Sequence, residues 1–120
     1  MDDKITINEV KNIVKKFCDD RNWNQFHDGK ELSIGISTEA GELLDYFRFK
    51  NKEQIKELLD NKETRKKISH ELVDVFYFVL RFAEIYNIDL SEELKEKIKK
   101  NELKYPIEKA KDCNKKYTEY

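Results

Sequence analysis

Two pairs of carboxylates are spaced so that each pair would lie on one face of a helix. Glu39 and Glu42 form the first pair, and Glu71 and Asp74 form the second. Residues three apart on an α-helix are neighbours, and both pairs lie in segments whose apolar residues recur with helical period. Mg²⁺ prefers oxygen ligands and keeps waters that a phosphate substrate can replace. The spacing therefore predicts a divalent metal site between two helices.

The same patterns are also common on solvated helix faces, especially in a chain with 41% charged residues. An ordinary acidic face would indicate a non-catalytic helical module that binds a protein or a nucleotide. A ferritin-like di-iron bundle is a third alternative, because it also takes carboxylates from several helices. That class uses Glu-x-x-His pairs, however, and neither His27 nor His70 follows a glutamate by three residues.

Composition restricts the class of protein further. In 120 residues, Lys+Arg 24 against Asp+Glu 25 gives a net charge of −1, which predicts neither a nucleic-acid partner nor a membrane-surface partner. With Gly 3 and Pro 1, the chain has few turn signals, which favours helices over β-structure. Cys18 and Cys113 match no metal or redox spacing. Together with an N-terminus that lacks a signal-peptide pattern, they predict a cytoplasmic protein.

The apolar periodicity predicts an all-α bundle of four to five helices. The predicted helices cover residues 7–20, 31–49, 52–60, 64–86 and 89–105. The second would bury a stripe of Leu32, Ile36, Ala40, Leu43 and Phe47. The fourth, as the central element, would bury Ile68, Leu72, Val75, Val79, Phe82 and Tyr86. We expect one domain over residues 1–106 and a Lys-rich, partly ordered tail over residues 107–120.

Five segments, taken in order, resemble one known family. They are 21–27 (RNWNQFH), 39–43 (EAGEL), 70–75 (HELVDV), 101–106 (NELKYP) and 116–119 (KYTE). Jointly they resemble the MazG-like all-α nucleoside triphosphate pyrophosphohydrolases, and within these most closely the dCTP pyrophosphatase group. The resemblance implies hydrolysis of a (deoxy)nucleoside triphosphate to the monophosphate and pyrophosphate with Mg²⁺, for which Mn²⁺ can substitute. It also implies a homo-oligomer, either a dimer or a tetramer, and a housecleaning role in the nucleotide pool.

The resemblance further implies roles for individual residues. Glu39, Glu42, Glu71 and Asp74 would be the metal ligands of the catalytic centre, with no one of them singled out as a general base. The family's substrate-contacting positions are Trp23, His27, Phe49, Phe78, Lys97, Asn101 and Tyr105. The last three are spaced four residues apart and share one helix face. By periodicity alone, Phe78 is equally consistent with a core position, whereas a solvated face is favoured for Lys97 and, less strongly, for Asn101.

Two positions depart from the pattern of the dCTP pyrophosphatase group. Phe49 stands where those enzymes usually have tryptophan, and Glu31 stands where they usually have asparagine. Both would lie near the base pocket, so a preference for cytosine is not carried over to this chain.

Overall fold

The computed structural model describes residues 1–120 and confirms the all-α class. Its α-helices are α1 (Ile7–Asp20), α2 (Gly29–Asp45), α3 (Lys52–Asp60), α4 (Lys62–Ile85), α5 (Leu90–Lys104) and α6 (Ile107–Ala110), and it has no strand. Short 3₁₀ turns lie at Asn24–Phe26 and Tyr117–Glu119. The chain forms two compact units, Met1–Asn87 and Ile88–Tyr120. None of its helices combines the length and the apolar character that crossing a bilayer requires.

Side-chain caps explain where the helices of the first unit begin. The hydroxyl of Thr6 accepts a hydrogen bond from the backbone N–H of Glu9 at 3.1 Å, and the Glu9 carboxylate accepts one from the Thr6 N–H at 3.0 Å. Asn51 and Gln54 form the same reciprocal pair at α3. Such caps satisfy backbone donors that have no partner within the helix. The predicted start of α3 is confirmed.

The predicted extent of α2 was wrong at both ends. The helix begins at Gly29, two residues early, because Asp28 caps it by accepting a hydrogen bond from the Glu31 N–H at 2.8 Å. It ends at Asp45, because the chain turns over the next four residues and Phe49 takes a left-handed conformation with φ 64°. A bulky residue rarely adopts this conformation, which is incompatible with a continuing helix.

Helix α4 is the central element of the first unit and packs against α2, α1 and α3. The side chains buried in this unit are Val14, Cys18, Leu32, Ile68, Leu80, Arg81 and Ala83. Three positions of the predicted stripes are instead exposed: Ala40, Leu72 and Tyr86. The buried stripes are consequently narrower than the apolar periodicity predicted.

Helices α2 and α4 run antiparallel, as contacts along their length demonstrate. Near the start of α2, the Gly29 N–H donates a hydrogen bond to the Tyr86 hydroxyl at 2.7 Å. Further along α2, Gly35 meets the Phe78 ring, which lies two turns earlier on α4. A Cβ at Gly35 would lie 2.6 Å from ring atoms of Phe78, so the absence of a side chain allows this close approach.

The second unit contains α5, α6 and the chain end. Asp89 caps α5 by accepting a hydrogen bond from the Glu92 N–H at 2.9 Å. The helix ends at Lys104, one residue before the predicted end at Tyr105 and two residues before Pro106. The Tyr105 ring makes edge contacts with Tyr117 at 5.8 Å and with Tyr120 at 6.1 Å between ring centroids. The domain boundary after residue 106 stays a prediction.

Gly35 and Gly41, both in the interior of α2, give a matched test of this packing. We expect Gly35→Ala to lower the free energy of unfolding by about 1–3 kcal/mol, because the new methyl group must displace the Phe78 ring. Gly41→Ala meets no atom within 4 Å and should raise the free energy of unfolding by about 0.5–1 kcal/mol through helix propensity. Urea unfolding measures both, and an equal effect of the two substitutions would contradict the Gly35–Phe78 contact.

Candidate metal centre

The antiparallel pairing of α2 and α4 brings three acidic side chains together. Carboxylate oxygens of Glu39 and Glu42, from α2, and of Glu71, from α4, all lie within 4.8 Å of one another. Glu42 is exposed, whereas Glu39 and Glu71 are partly buried. Three carboxylates at this separation repel one another, so the arrangement suits a cation that several oxygens share.

Two oxygens of this cluster are buried and have no hydrogen-bond partner: Oε2 of Glu39 and Oε2 of Glu71. Buried polar atoms in folded proteins are almost always hydrogen-bonded, because an unpaired one retains its full desolvation cost. Two unpaired carboxylate oxygens on facing helices are donors of the type that a hard divalent cation takes, with waters completing its coordination. On this observation, the residues present fit a metal such as Mg²⁺.

The electrostatics of the cluster point the same way. Burial raises the pKa of the Glu39 carboxyl above its ordinary value, and the adjacent Glu42, Asp74 and Glu71 raise it further. Burial, Glu42 and Asp74 likewise raise the pKa of Glu71, against a small lowering by His70. Without a cation, each ionised member therefore disfavours ionisation of the others.

Asp74 is placed differently from the other three predicted ligands. Asp74 lies one turn after Glu71 on α4 and is exposed. It is not one of the three residues whose carboxylate oxygens lie within 4.8 Å of one another. Its charge nevertheless raises the pKa of Glu39 and of Glu71. Asp74 is thus an exposed neighbour of the cluster. Gly41, between Glu39 and Glu42, faces open space and has no packing reason within the chain.

The segment between α1 and α2 presents two of the predicted substrate residues. Trp23 is 37% exposed, and its ring makes edge contacts with Phe17 at 5.5 Å and with His27 at 6.2 Å between centroids. His27 is partly buried, and its Nδ1 accepts a hydrogen bond from Nε of Arg81 at 2.9 Å. Phe26, in the same segment, is 62% exposed.

The two predicted phenylalanines have different environments. Phe78 is partly buried against α2 at Gly35 and makes an edge contact with Tyr77 at 5.0 Å, which gives it a packing role. Phe49 is 90% exposed, and the Arg48 guanidinium lies 4.8 Å from its ring centroid. In the second unit, Lys97 is exposed, Asn101 is partly buried, and Tyr105 packs on the C-terminal tyrosines.

Sequence reasoning missed the residue that organises the segment before α2. The sequence pattern assigns Arg81 no role, yet it is 1% exposed and hydrogen-bonds to Asn24 and His27. The usable signal was an arginine at a core position, three residues before the glutamate that could balance its charge, Glu84.

Comparison with known proteins now decides the family. Residues 34–120 match the model of the MazG-like family, which is well over half of the chain. The chain belongs to the MazG-like family.

Among the relatives of this MazG-like chain are dCTP pyrophosphatases. Human dCTP pyrophosphatase 1 is 27% identical over 114 residues, covering 95% of this chain and 67% of the relative. Rat dCTP pyrophosphatase 1 is 25% identical over 114 residues, again covering 95% of this chain and 67% of the relative. A pyrophosphatase from Archaeoglobus fulgidus DSM 4304, known from a crystal structure, has a TM-score of 0.76 at 32% identity, covering 82% of this chain and 91% of that one. The family resemblance of the sequence motifs is confirmed.

The raised pKa values of the carboxylate cluster predict a pH dependence of stability in the metal-free protein. Above the ordinary value of 4.5, the folded state retains protons that the unfolded chain releases, so stability falls as pH rises through the raised pKa. In EDTA, the melting temperature of the parent chain should fall between pH 5 and pH 7. The melting temperature of Glu39→Gln should fall by a few degrees less over the same range.

A control and a reversal make this prediction specific. Glu57→Gln, at an exposed position of α3, should keep the pH dependence of the parent chain. Adding Mg²⁺ should raise the melting temperature of the parent chain at pH 7 and have little effect on Glu39→Gln. Thermal unfolding followed by circular dichroism measures each quantity, and identical pH profiles for Glu39→Gln and Glu57→Gln would contradict mutual repulsion in the cluster.

Proposed function

We propose that this chain is a Mg²⁺-dependent enzyme that hydrolyses a (deoxy)nucleoside triphosphate to the monophosphate and pyrophosphate. The class of enzyme, a nucleoside triphosphate pyrophosphohydrolase, follows from its family and its relatives. One observation carries the metal dependence: two buried carboxylate oxygens from facing helices, on Glu39 and Glu71, have no partner in the chain. A cation bound at the carboxylate cluster would give these two oxygens the partner that the chain does not supply.

Glu39, Glu42 and Glu71 would hold the metal, with Asp74 adding its charge from the exposed side. Bound there, Mg²⁺ would neutralise charge on the phosphate oxygens and lower the pKa of an attacking water. The chain's own contribution is preorganisation, because the α2–α4 contact holds these carboxylates before the substrate arrives. Proton release from Glu39 and Glu71 would accompany metal binding, since their pKa values are raised in the free protein.

The nucleoside would lie against the aromatic side chains of the first unit. Trp23 and Phe49 expose ring surface on which a base can stack. The Phe78 ring lies on α4 beyond Asp74, on the stripe that carries the cluster. We also propose that His27 contacts the nucleotide. Substrate contacts by Lys97, Asn101 and Tyr105 stay predictions from the motif resemblance.

The relatives make dCTP the first substrate to test, as they are dCTP pyrophosphatases. We further propose a homo-oligomer, a dimer or a tetramer, in the cytoplasm, with a housecleaning role in the nucleotide pool. Exposed apolar side chains support the oligomer: Ile13 is 61% exposed, Leu44 56%, Leu72 57% and Val73 55%. A second copy could bury such residues.

A panel of nucleoside triphosphates and diphosphates with Mg²⁺, scored for pyrophosphate against orthophosphate, tests the reaction. We expect pyrophosphate and monophosphate from triphosphates, because the proposed cleavage lies between the α and β phosphates. Predominant orthophosphate would contradict the assigned bond. A non-catalytic nucleotide-binding module would release neither product.

Single substitutions test the proposed metal ligands. Glu39→Gln and Glu71→Gln should each lower kcat/KM by at least about 100-fold, because an amide carries no charge for the cation. Both should leave the helical content intact, since each removes a repulsive charge from the free protein. Glu57→Gln is the matched control and should keep the parent turnover. Turnover retained by both cluster variants would remove Glu39 and Glu71 from the site.

A further inference from the structure

Arg81 has the largest side chain that is fully buried in the chain, with 1% of its surface exposed. It lies in the second half of α4, three residues after Phe78 and ten residues after Glu71 of the carboxylate cluster. Burial of a guanidinium is costly unless its charge is balanced and its N–H groups are hydrogen-bonded. Its partners therefore indicate what the burial achieves.

All three nitrogen atoms of the Arg81 guanidinium donate hydrogen bonds. Nη1 binds Oε2 of Glu84 at 2.5 Å, which balances the charge within α4. Nε binds Nδ1 of His27 at 2.9 Å, and Nη2 binds Oδ1 of Asn24. Asn24 in turn donates from Nδ2 to Oδ1 of Asp19 at 2.9 Å. One planar group thus ties the end of α1 and the segment 21–28 to α4, across more than 50 residues of sequence.

The bond from Arg81 determines the protonation state of His27. An arginine in a protein keeps its proton, so Nδ1 of His27 must accept and the ring must be neutral with its hydrogen on Nε2. Burial lowers the pKa of His27 and the Arg81 charge lowers it further, in agreement with this geometry. The other charged groups around the same cavity of about 250 Å³ are Lys15, Asp19 and Glu84. These are paired, Lys15 with Asp19 and Glu84 with Arg81.

The same bonds determine where Trp23 lies. Trp23 sits between Asn22, which has φ 54°, and the 3₁₀ turn Asn24–Phe26 that Arg81 holds through Asn24. Its ring makes edge contacts with the rings of His27 and Phe17. The other hydrogen bonds of this segment are local or lead back to α1, such as that from the Trp23 N–H to the Cys18 carbonyl at 3.0 Å. Its side-chain hydrogen bonds to α4 come from Arg81, so loss of these bonds should free both side chains from α4.

We propose that Arg81 is a positioning residue for the nucleotide site: it holds the segment 21–28 on α4 and keeps His27 as the neutral Nε2–H tautomer. His27 then offers a fixed N–H donor to an oxygen of the nucleotide, beside the Trp23 ring. This role rests on the proposed function insofar as Trp23 and His27 contact the substrate. Arg81 itself makes no contact with the substrate.

Two variants separate positioning from mere folding. Arg81→Met combined with Glu84→Leu removes both buried charges together, which avoids leaving one unpaired, and deletes the bonds to the segment 21–28. Arg81→Lys keeps the charge but cannot reach three partners with one planar group. Arg65→Met is the matched control on α4, because Arg65 is exposed and its side chain hydrogen-bonds to the Leu59 carbonyl, not to the segment 21–28.

Two spectroscopic readouts test the inference without any nucleotide. Nitrogen-15 NMR of the imidazoles, assigned with His70→Gln because His27 and His70 are the only histidines, reports the tautomer and its titration. Fluorescence quenching by acrylamide reports the exposure of Trp23, the only tryptophan. In both Arg81 variants we expect a mixture of His27 tautomers, a pKa of His27 nearer its ordinary value, and at least twofold stronger quenching.

The third readout is kinetic. We expect KM for the triphosphate to rise about tenfold in both Arg81 variants, with kcat within about twofold of the parent, because the metal ligands are untouched. An unchanged His27 tautomer and unchanged Trp23 quenching would overturn the proposal, and so would a loss confined to kcat. If the parent chain hydrolyses no nucleotide, the proposed function alone fails, since the two spectra still decide whether Arg81 positions His27 and Trp23.

Discussion

Repulsion among carboxylates that the α2–α4 contact holds within 4.8 Å is the constraint on which the candidate site depends. The contact is tight because Gly35 has no side chain where the Phe78 ring lies against the helix backbone. In an antiparallel pair, that point of contact also sets the register of Glu39 and Glu42 against Glu71. The apolar packing of the unit thereby holds in place an electrostatic arrangement that is unfavourable until a cation enters it.

The molecule contains two polar clusters, and their difference explains their roles. Around Arg81, each charge has a partner of opposite sign and the guanidinium nitrogens are all hydrogen-bonded. Around Glu39 and Glu71, charges of one sign face each other and two buried oxygens have no partner. A balanced network of the first kind stabilises one arrangement of the chain. An unbalanced cluster of the second kind keeps a site ready for a ligand at a cost to the free protein.

The two clusters lie on the same helix and serve the same proposed reaction. The first half of α4 supplies Glu71 and Asp74, and its second half supplies Arg81, which orders the segment containing Trp23 and His27. A single rigid element can therefore align the phosphate end and part of the nucleoside end of a substrate. The first unit has only four α-helices, so few elements besides α4 are available to position side chains.

The sequence by itself determined the helical class, most helix boundaries, the family and the pairing of acids on each helix. These follow from local physics: apolar period, caps such as Thr6, Asn51 and Asp89, and short motifs in order. Only the tertiary structure decided that Glu39, Glu42 and Glu71 converge while Asp74 remains exposed, and that Arg81 is buried against His27. Helical period gives the direction of a side chain around its own axis. The distance to a side chain on another helix depends on how closely the helices approach, and here a glycine opposite an aromatic ring sets that approach.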